Sequence, residues 1–166
     1  MTIKLLLLLL FLSFQTIGLF AQECTVNTRF DGKKIIRSEE AWKKSLTSDQ
    51  FYILREAGTE PPFDNAYNDN KEAGTYVCGA CALPLFSSQT KYDSGTGWPS
   101  YWEPICPENV ILREKGHRIF FYKRTEVFCS RCESHLGHLF DDGPPPTGKR
   151  YCINSLAMKF IPDKSE

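Results

Sequence analysis

The chain opens on an apolar run over residues 5–14 behind Lys4, diluted by Ser13, Gln15, Thr16 and Gly18 before Leu19, Phe20 and Ala21. A short positive end, an apolar centre and a small closing residue are the marks of an export leader. Residues 1–21 are therefore expected to be a cleaved signal peptide, making the protein periplasmic or secreted. The run falls short of the ~20 residues a spanning helix needs, so a retained membrane anchor is the lesser alternative. Residues 22–37 are polar and irregular and are expected to form a flexible segment, with the folded domain over residues 38–166. Ser38 stands before Glu39, Glu40 and Trp42, which predicts a capped helix to about Leu46. Thr47-Ser48-Asp49-Gln50 has the spacing of a capping box and predicts a second short helix, which Gly58 is expected to end. Pro61 and Pro62 break that pattern, and residues 65–74 read as a polar loop.

From Thr75 the pattern shortens to β segments separated by turns. Residues 110–114 and 118–123 are expected to form a hairpin about Lys115-Gly116-His117. Residues 126–128, 139–140, 151–154 and 156–161 are further predicted strands. The loop from Gly143 to Gly148, with three prolines, runs directly into Cys152. The fold expected is mainly β, of the α+β class: N-terminal helices, then a small barrel-like pair of antiparallel sheets in one domain.

Composition narrows the function. Twenty basic residues balance twenty acidic ones, so the basic field of a nucleic-acid binder is missing, and no stable partner is evident. Twelve Phe, seven Tyr and three Trp suit a packed β-rich core.

Seven cysteines in an exported chain would ordinarily suggest disulfides, but their spacing argues for a metal. Cys78-Gly-Ala-Cys81 and Cys129-Ser-Arg-Cys132 are two CxxC pairs. Each places two thiolates on one tight turn, and together they supply the four sulfurs of a closed, structural Zn²⁺ site, one ion per chain. Redox-active or bridged CxxC pairs are the alternative. Cys24, Cys106 and Cys152 remain single. Arg150 and Asn154 lie two residues either side of Cys152, on its face of a strand, where a cation favours a thiolate. By itself that pattern is weak, since a lone strand cysteine is more often a small buried hydrophobe. Two of the chain's three histidines, His135 and His138, lie close together and suggest acid–base groups. Gly95-Thr96-Gly97-Trp98-Pro99-Ser100 presents Trp98 on a glycine turn, either as a core residue or as an aromatic wall for a small apolar group.

These motifs, in this order, closely resemble the peptide methionine-R-sulfoxide reductases of the zinc-containing form: Cys78-x-x-Cys81, the Gly95–Ser100 turn, Cys129-x-x-Cys132, His135-Leu136-Gly137-His138, and Arg150-Tyr151-Cys152-Ile153-Asn154-Ser155. The resemblance runs over about residues 39–161. It implies thiol-dependent reduction of protein-bound methionine R-sulfoxide, a repair of oxidative damage, with Cys152 as nucleophile and His138 as proton donor. It further implies that His135, Arg150 and Asn154 orient the site and that Trp98 and Phe140 enclose the substrate methyl. The implied partners are oxidised proteins as substrate and a thioredoxin-like reductant.

One departure concerns recycling. Many members carry a resolving cysteine in the glycine turn, where this chain has Thr96. The remaining thiols are Cys24 and Cys106. Cys24, in a segment expected to be mobile, is the favoured resolver, with Cys106 or direct attack by the reductant as alternatives. Two other readings compete with the enzyme: a zinc-ribbon-like binding module, and a general disulfide oxidoreductase or peroxide scavenger.

Overall fold

The computed structural model describes residues 24–116 and 123–164. The expected signal peptide and most of the expected second hairpin strand, residues 118–122, lie outside them. Two helices come first. Helix α1 (Glu39–Ser45) is capped by the Ser38 hydroxyl, which accepts from the Ala41 amide at 3.2 Å. Helix α2 (Ser48–Arg55) begins at Thr47 with the full reciprocal box to Gln50. It stops sooner than expected. Glu56 is the cap and Ala57 takes the left-handed turn at φ 57°, while the Gly58 amide donates back to the Tyr52 carbonyl at 3.0 Å. Trp42, Phe51, Ile53 and Leu54 are the buried face of the pair.

Two antiparallel sheets follow among the described residues. The smaller has the order β2–β1–β9, with β1 Gly74–Cys78, β2 Pro84–Ser87 and β9 Met158–Pro162. The larger has the order β3–β4–β8–β7–β6–β5, with β3 Lys91–Tyr92, β4 Ser100–Tyr101, β5 Val110–Gly116, β6 Lys123–Cys129, β7 His135–Phe140 and β8 Arg150–Ile153. Aromatic side chains join the two. Tyr101 of the larger sheet stacks on Phe86 (4.4 Å between centroids) and meets Tyr76 edge-on (5.3 Å), both from the smaller. All three are fully buried, and such pairs add about 0.5–1.5 kcal/mol each beyond the area they bury.

From Cys24 the polar N-terminal segment makes several contacts with the body of the domain. Cys24 is bonded to Cys106, closing a span of 82 residues. Fully buried Asn109 takes the Phe30 amide on its oxygen at 2.7 Å and donates to the Thr28 and Pro84 carbonyls. The Ile35 amide donates to the Arg131 carbonyl at 2.7 Å. These contacts fall within residues 22–37, the segment expected to be flexible. What polarity alone does not report is that a covalent link and an internal Asn hold these residues to the body.

Candidate active site

The two CxxC turns are built alike. In each, the first cysteine's amide donates to a carbonyl five residues on (Cys78 to Leu83, 2.8 Å; Cys129 to Ser134, 2.9 Å). Its carbonyl accepts from the amide four residues on (Ala82, 2.8 Å; Glu133, 2.9 Å). Ala82 and Glu133, each following a second cysteine, turn the chain at φ 57° and 55°. The turns face one another. Cys78 Sγ lies 3.6 Å from Cys132 Sγ, Cys81 Sγ lies 3.5 Å from Cys129 Sγ, and all four sulfurs fall within 4.8 Å. A tetrahedral ion held at about 2.3 Å sets its sulfurs roughly 3.8 Å apart, so this cluster fits a structural metal site. Because β1 belongs to one sheet and β6 to the other, an ion here would tie the sheets together.

The other cluster forms across the larger sheet. Ser100 of β4 opposes Cys152 of β8, Cys152 opposes His138 of β7, and His138 opposes Glu126 of β6. Directly opposed residues of antiparallel strands share a face, so the four make one row. His135 should point the other way, since three residues separate it from His138. A bulge corrects this: Val127 pairs with Gly137 and Phe128 with His135, leaving Leu136 as the extra residue. The phase shift puts both imidazoles on one face, with their rings edge-on at 5.5 Å. Gly137 lets β7 and β8 close together, since a Cβ there would lie 2.1 Å from the Cys152 carbonyl oxygen.

A cavity of about 200 Å³ opens over this row, lined by Trp98, His138, Phe140, Cys152 and Asn154 together with Thr59, Arg124, Gly137 and Ile153. Burial pushes the half-buried Cys152 thiol up. The Arg150 guanidinium pulls against it, as do hydrogen bonds from the Thr96 and Ser100 hydroxyls. Ser94 links those two hydroxyls, at 2.8 Å to each. Arg150 is itself clamped, bidentate on Asp142 (2.8 and 2.9 Å) and lying 4.2 Å over the Phe140 ring. Burial pushes the His138 imidazole down, with His135 and Arg124 adding to the effect and Glu126 opposing it. Burial likewise lowers His135, whose Nδ1 lies 3.3 Å from the Ile53 carbonyl oxygen. Burial thus disfavours the charged form of all three groups, the Cys152 thiolate and both imidazolium ions.

One family model, the SelR domain, matches residues 46–162, well over half the chain. The chain is a peptide methionine sulfoxide reductase of the MsrB family. Among its relatives are proteins named peptide methionine sulfoxide reductase MsrB from Methanosarcina barkeri (55% identical over 128 residues, 77% of this chain and 89% of the relative) and Hahella chejuensis (50% over 127 residues, 76% and 90%). Another is the chloroplastic peptide methionine sulfoxide reductase B1 of Arabidopsis thaliana, 54% identical over 123 residues, covering 74% of this chain and 60% of the relative.

Within this MsrB fold, Cys152, His138, His135, Arg150, Asn154, Trp98 and Phe140 come together about one sheet face, with both histidines on strand β7. Asn154 is more committed than a strand position implies. It caps the turn Ser155–Ala157, its Nδ2 donates to the Leu136 carbonyl at 3.0 Å, and its Oδ1 accepts from the Glu60 amide at 3.1 Å. Cys24 does not join the site as a free thiol, because its sulfur is bonded to Cys106.

Two residues beneath the site carry no role in the sequence reading. Asp142 fixes Arg150, as described. Glu60 is a buried junction: its carbonyl accepts from Trp98 Nε1 at 3.0 Å, its amide holds Asn154, and its carboxylate accepts from the Ser155 and Leu156 amides. Burial raises its pKa and the two amides pull it back. In the sequence, Gly58-Thr59-Glu60 ends the helical stretch that resembles the family, but an acidic residue beside Pro61 gives no local sign of burial.

Proposed function

We propose that this protein reduces methionine R-sulfoxide in oxidised proteins, with Cys152 as nucleophile and His138 as the proton carrier. The observation that carries this reading is the register of Cys152 directly opposite His138 in a cavity walled by Trp98 and Phe140. Sulfoxide sulfur is a poor electrophile until its oxygen gains a proton, so a sulfur nucleophile and an acid must converge on adjacent atoms. Burial pushes the Cys152 thiol up and the His138 imidazole down, so the transferable proton is the one on sulfur. That proton passes from Cys152 through His138 to the sulfoxide oxygen as the thiolate attacks sulfur. The new sulfur–sulfur bond and the methionine sulfur–oxygen bond then break as the hydroxyl passes to the Cys152 sulfur, so methionine is reduced by two electrons and Cys152 is oxidised to a sulfenic acid. Arg150 stabilises the thiolate, Asn154 and His135 orient the site, and Trp98 with Phe140 encloses the methyl group. The test is reduction of a peptide carrying each separated epimer. The R-epimer is expected to be consumed and the S-epimer left, and equal rates on both would overturn the assignment.

The four-cysteine cluster we assign to one Zn²⁺. Export rests on the apolar leader and on a disulfide that oxidising compartments sustain.

For recycling, the Cys24–Cys106 bond changes the expected resolver. With four cysteines on the metal and two bonded to each other, the Cys152 sulfenic acid meets an external thioredoxin-type dithiol directly. One thiol condenses with it, releasing water, and the second restores Cys152 as the reductant becomes a disulfide. The Cys24→Ser/Cys106→Ser protein is therefore expected to turn over with dithiol at the wild-type rate. It should unfold at lower temperature, because loop closure over so long a span is worth up to about 4–5 kcal/mol. A Cys24→Ser protein that makes one turnover and stalls would restore Cys24 as resolver.

A further inference from the structure

We propose that Glu126, His135 and His138 form a second metal site, for a zinc-class divalent ion, whose occupancy shuts the enzyme off. The inference rests on the catalytic reading of His138 only for its inhibitory consequence. The binding site stands on its own geometry. One ligand atom from each of the three residues lies within 4.8 Å of the others. Two imidazoles and a carboxylate are a donor set that borderline first-row ions favour, at roughly 2.0–2.2 Å each.

The decisive observation is His135. It is 2% exposed, and its Nε2 is a buried nitrogen with no hydrogen-bond partner. Its other nitrogen faces the Ile53 carbonyl at 3.3 Å. A carbonyl can only accept, so the ring proton sits on Nδ1 and the lone pair is on Nε2. This is the arrangement that orients an imidazole toward a metal. Leaving a buried acceptor unpaired is costly, and an ion would satisfy it. His138 shares the face through the Leu136 bulge and directly opposes Glu126. Glu126 meets Lys115 at 3.2 Å, but that lysine side chain is 68% exposed and can yield to an ion as the counter-charge. Burial pushes both imidazoles down, which favours the neutral form that a metal ligand requires. By contrast Cys24, Cys106 and Glu108 form a cluster of similar size whose sulfurs are spent on a disulfide. An ion on His138 removes the lone pair that carries the proton, so substrate reduction stops without any change to Cys152.

The experiment titrates the zinc-loaded protein with Co²⁺ and follows visible absorption alongside sulfoxide reduction. One equivalent beyond the zinc is expected, with the weak bands of nitrogen and oxygen ligation, inhibition in parallel, and recovery on dialysis. Glu126→Gln is expected to weaken cobalt binding by on the order of tenfold or more, with inhibition scored against the variant's own rate, and His135→Gln to abolish it. Three results would each overturn the proposal: no additional equivalent at millimolar cobalt, binding indifferent to Glu126→Gln, or strong thiolate-to-metal absorption placing the ion on cysteine. Cobalt bound as expected to a protein that reduces neither epimer would instead overturn the catalytic reading and leave the site standing.

Discussion

Cys152→Ser is expected to abolish methionine R-sulfoxide reduction, single turnover included, while metal content and thermal midpoint stay at wild-type values. The chemistry gives no partial outcome. Oxygen transferred to sulfur yields a sulfenic acid, whereas oxygen transferred to a serine hydroxyl would require an oxygen–oxygen bond. The fold gives no reason for collapse either: Cys152 is half-buried, faces a cavity, and its oxygen isostere would still meet the hydroxyls of Thr96 and Ser100. His138→Ala should slow the chemical step by roughly 10²–10⁴-fold, the usual loss for a positioned acid. Because Phe140 and Trp98 still wall the cavity, most of that loss should fall on kcat and little on KM. Rapid-quench measurement of methionine formed per enzyme in the absence of reductant separates the two variants. Residual single-turnover methionine from Cys152→Ser would remove the nucleophile assignment.

The parts of this site written in local sequence are legible, and those made by long-range pairing are not. The capping box at Thr47 and Gln50 is a contact across three residues, so the sequence contains both halves of it. The CxxC turns are local as well, and four thiols on two of them have few other uses. Arg150 and Cys152 share a face by simple strand alternation. The histidines are different. Alternation applied to His135 and His138 puts them on opposite faces, and only the partner strand, by skipping Leu136, brings them together. Glu60 acts through 94 and 95 residues of separation, to Asn154 and Ser155. Cys24 looks free because polarity reports solvation of a segment and not what its ends are bonded to. Asp142 lies eight residues before Arg150, and its partnership becomes evident only when β7 and β8 are paired and Arg150 lies across Phe140.

Removing the metal, or replacing Cys78 with serine, is expected to unfold the domain and not merely to slow it. Three described features set the size of the effect. Cys78 ends β1 of the smaller sheet and Cys129 ends β6 of the larger, so an ion held there would bridge two layers also joined by side-chain packing such as Tyr101 on Phe86 and Tyr76. Cys78, Cys129 and Cys132 are buried, so without an ion only weak thiol contacts replace the metal–thiolate bonds in the interior. Helix α2 is anchored to the second turn, where Arg55 donates to the Cys132 carbonyl at 3.0 Å and to Ser134 Oγ at 3.3 Å. Loss of the turn therefore releases the helix as well. Structural zinc supplies on the order of 10 kcal/mol in small domains, against a total stability of about 5–15 kcal/mol for a domain. The deficit is as large as the whole. Chelation should thus produce a cooperative loss of near-ultraviolet circular dichroism together with release of one zinc per chain, and Cys78→Ser should accumulate as aggregate. Cys81→His offers the control, since Cys81 is the partly exposed ligand and a three-cysteine, one-histidine set still closes a tetrahedron. That variant should keep metal and fold. A metal-free protein that keeps its near-ultraviolet spectrum and its R-sulfoxide reductase activity would show that the sheets hold together without the ion.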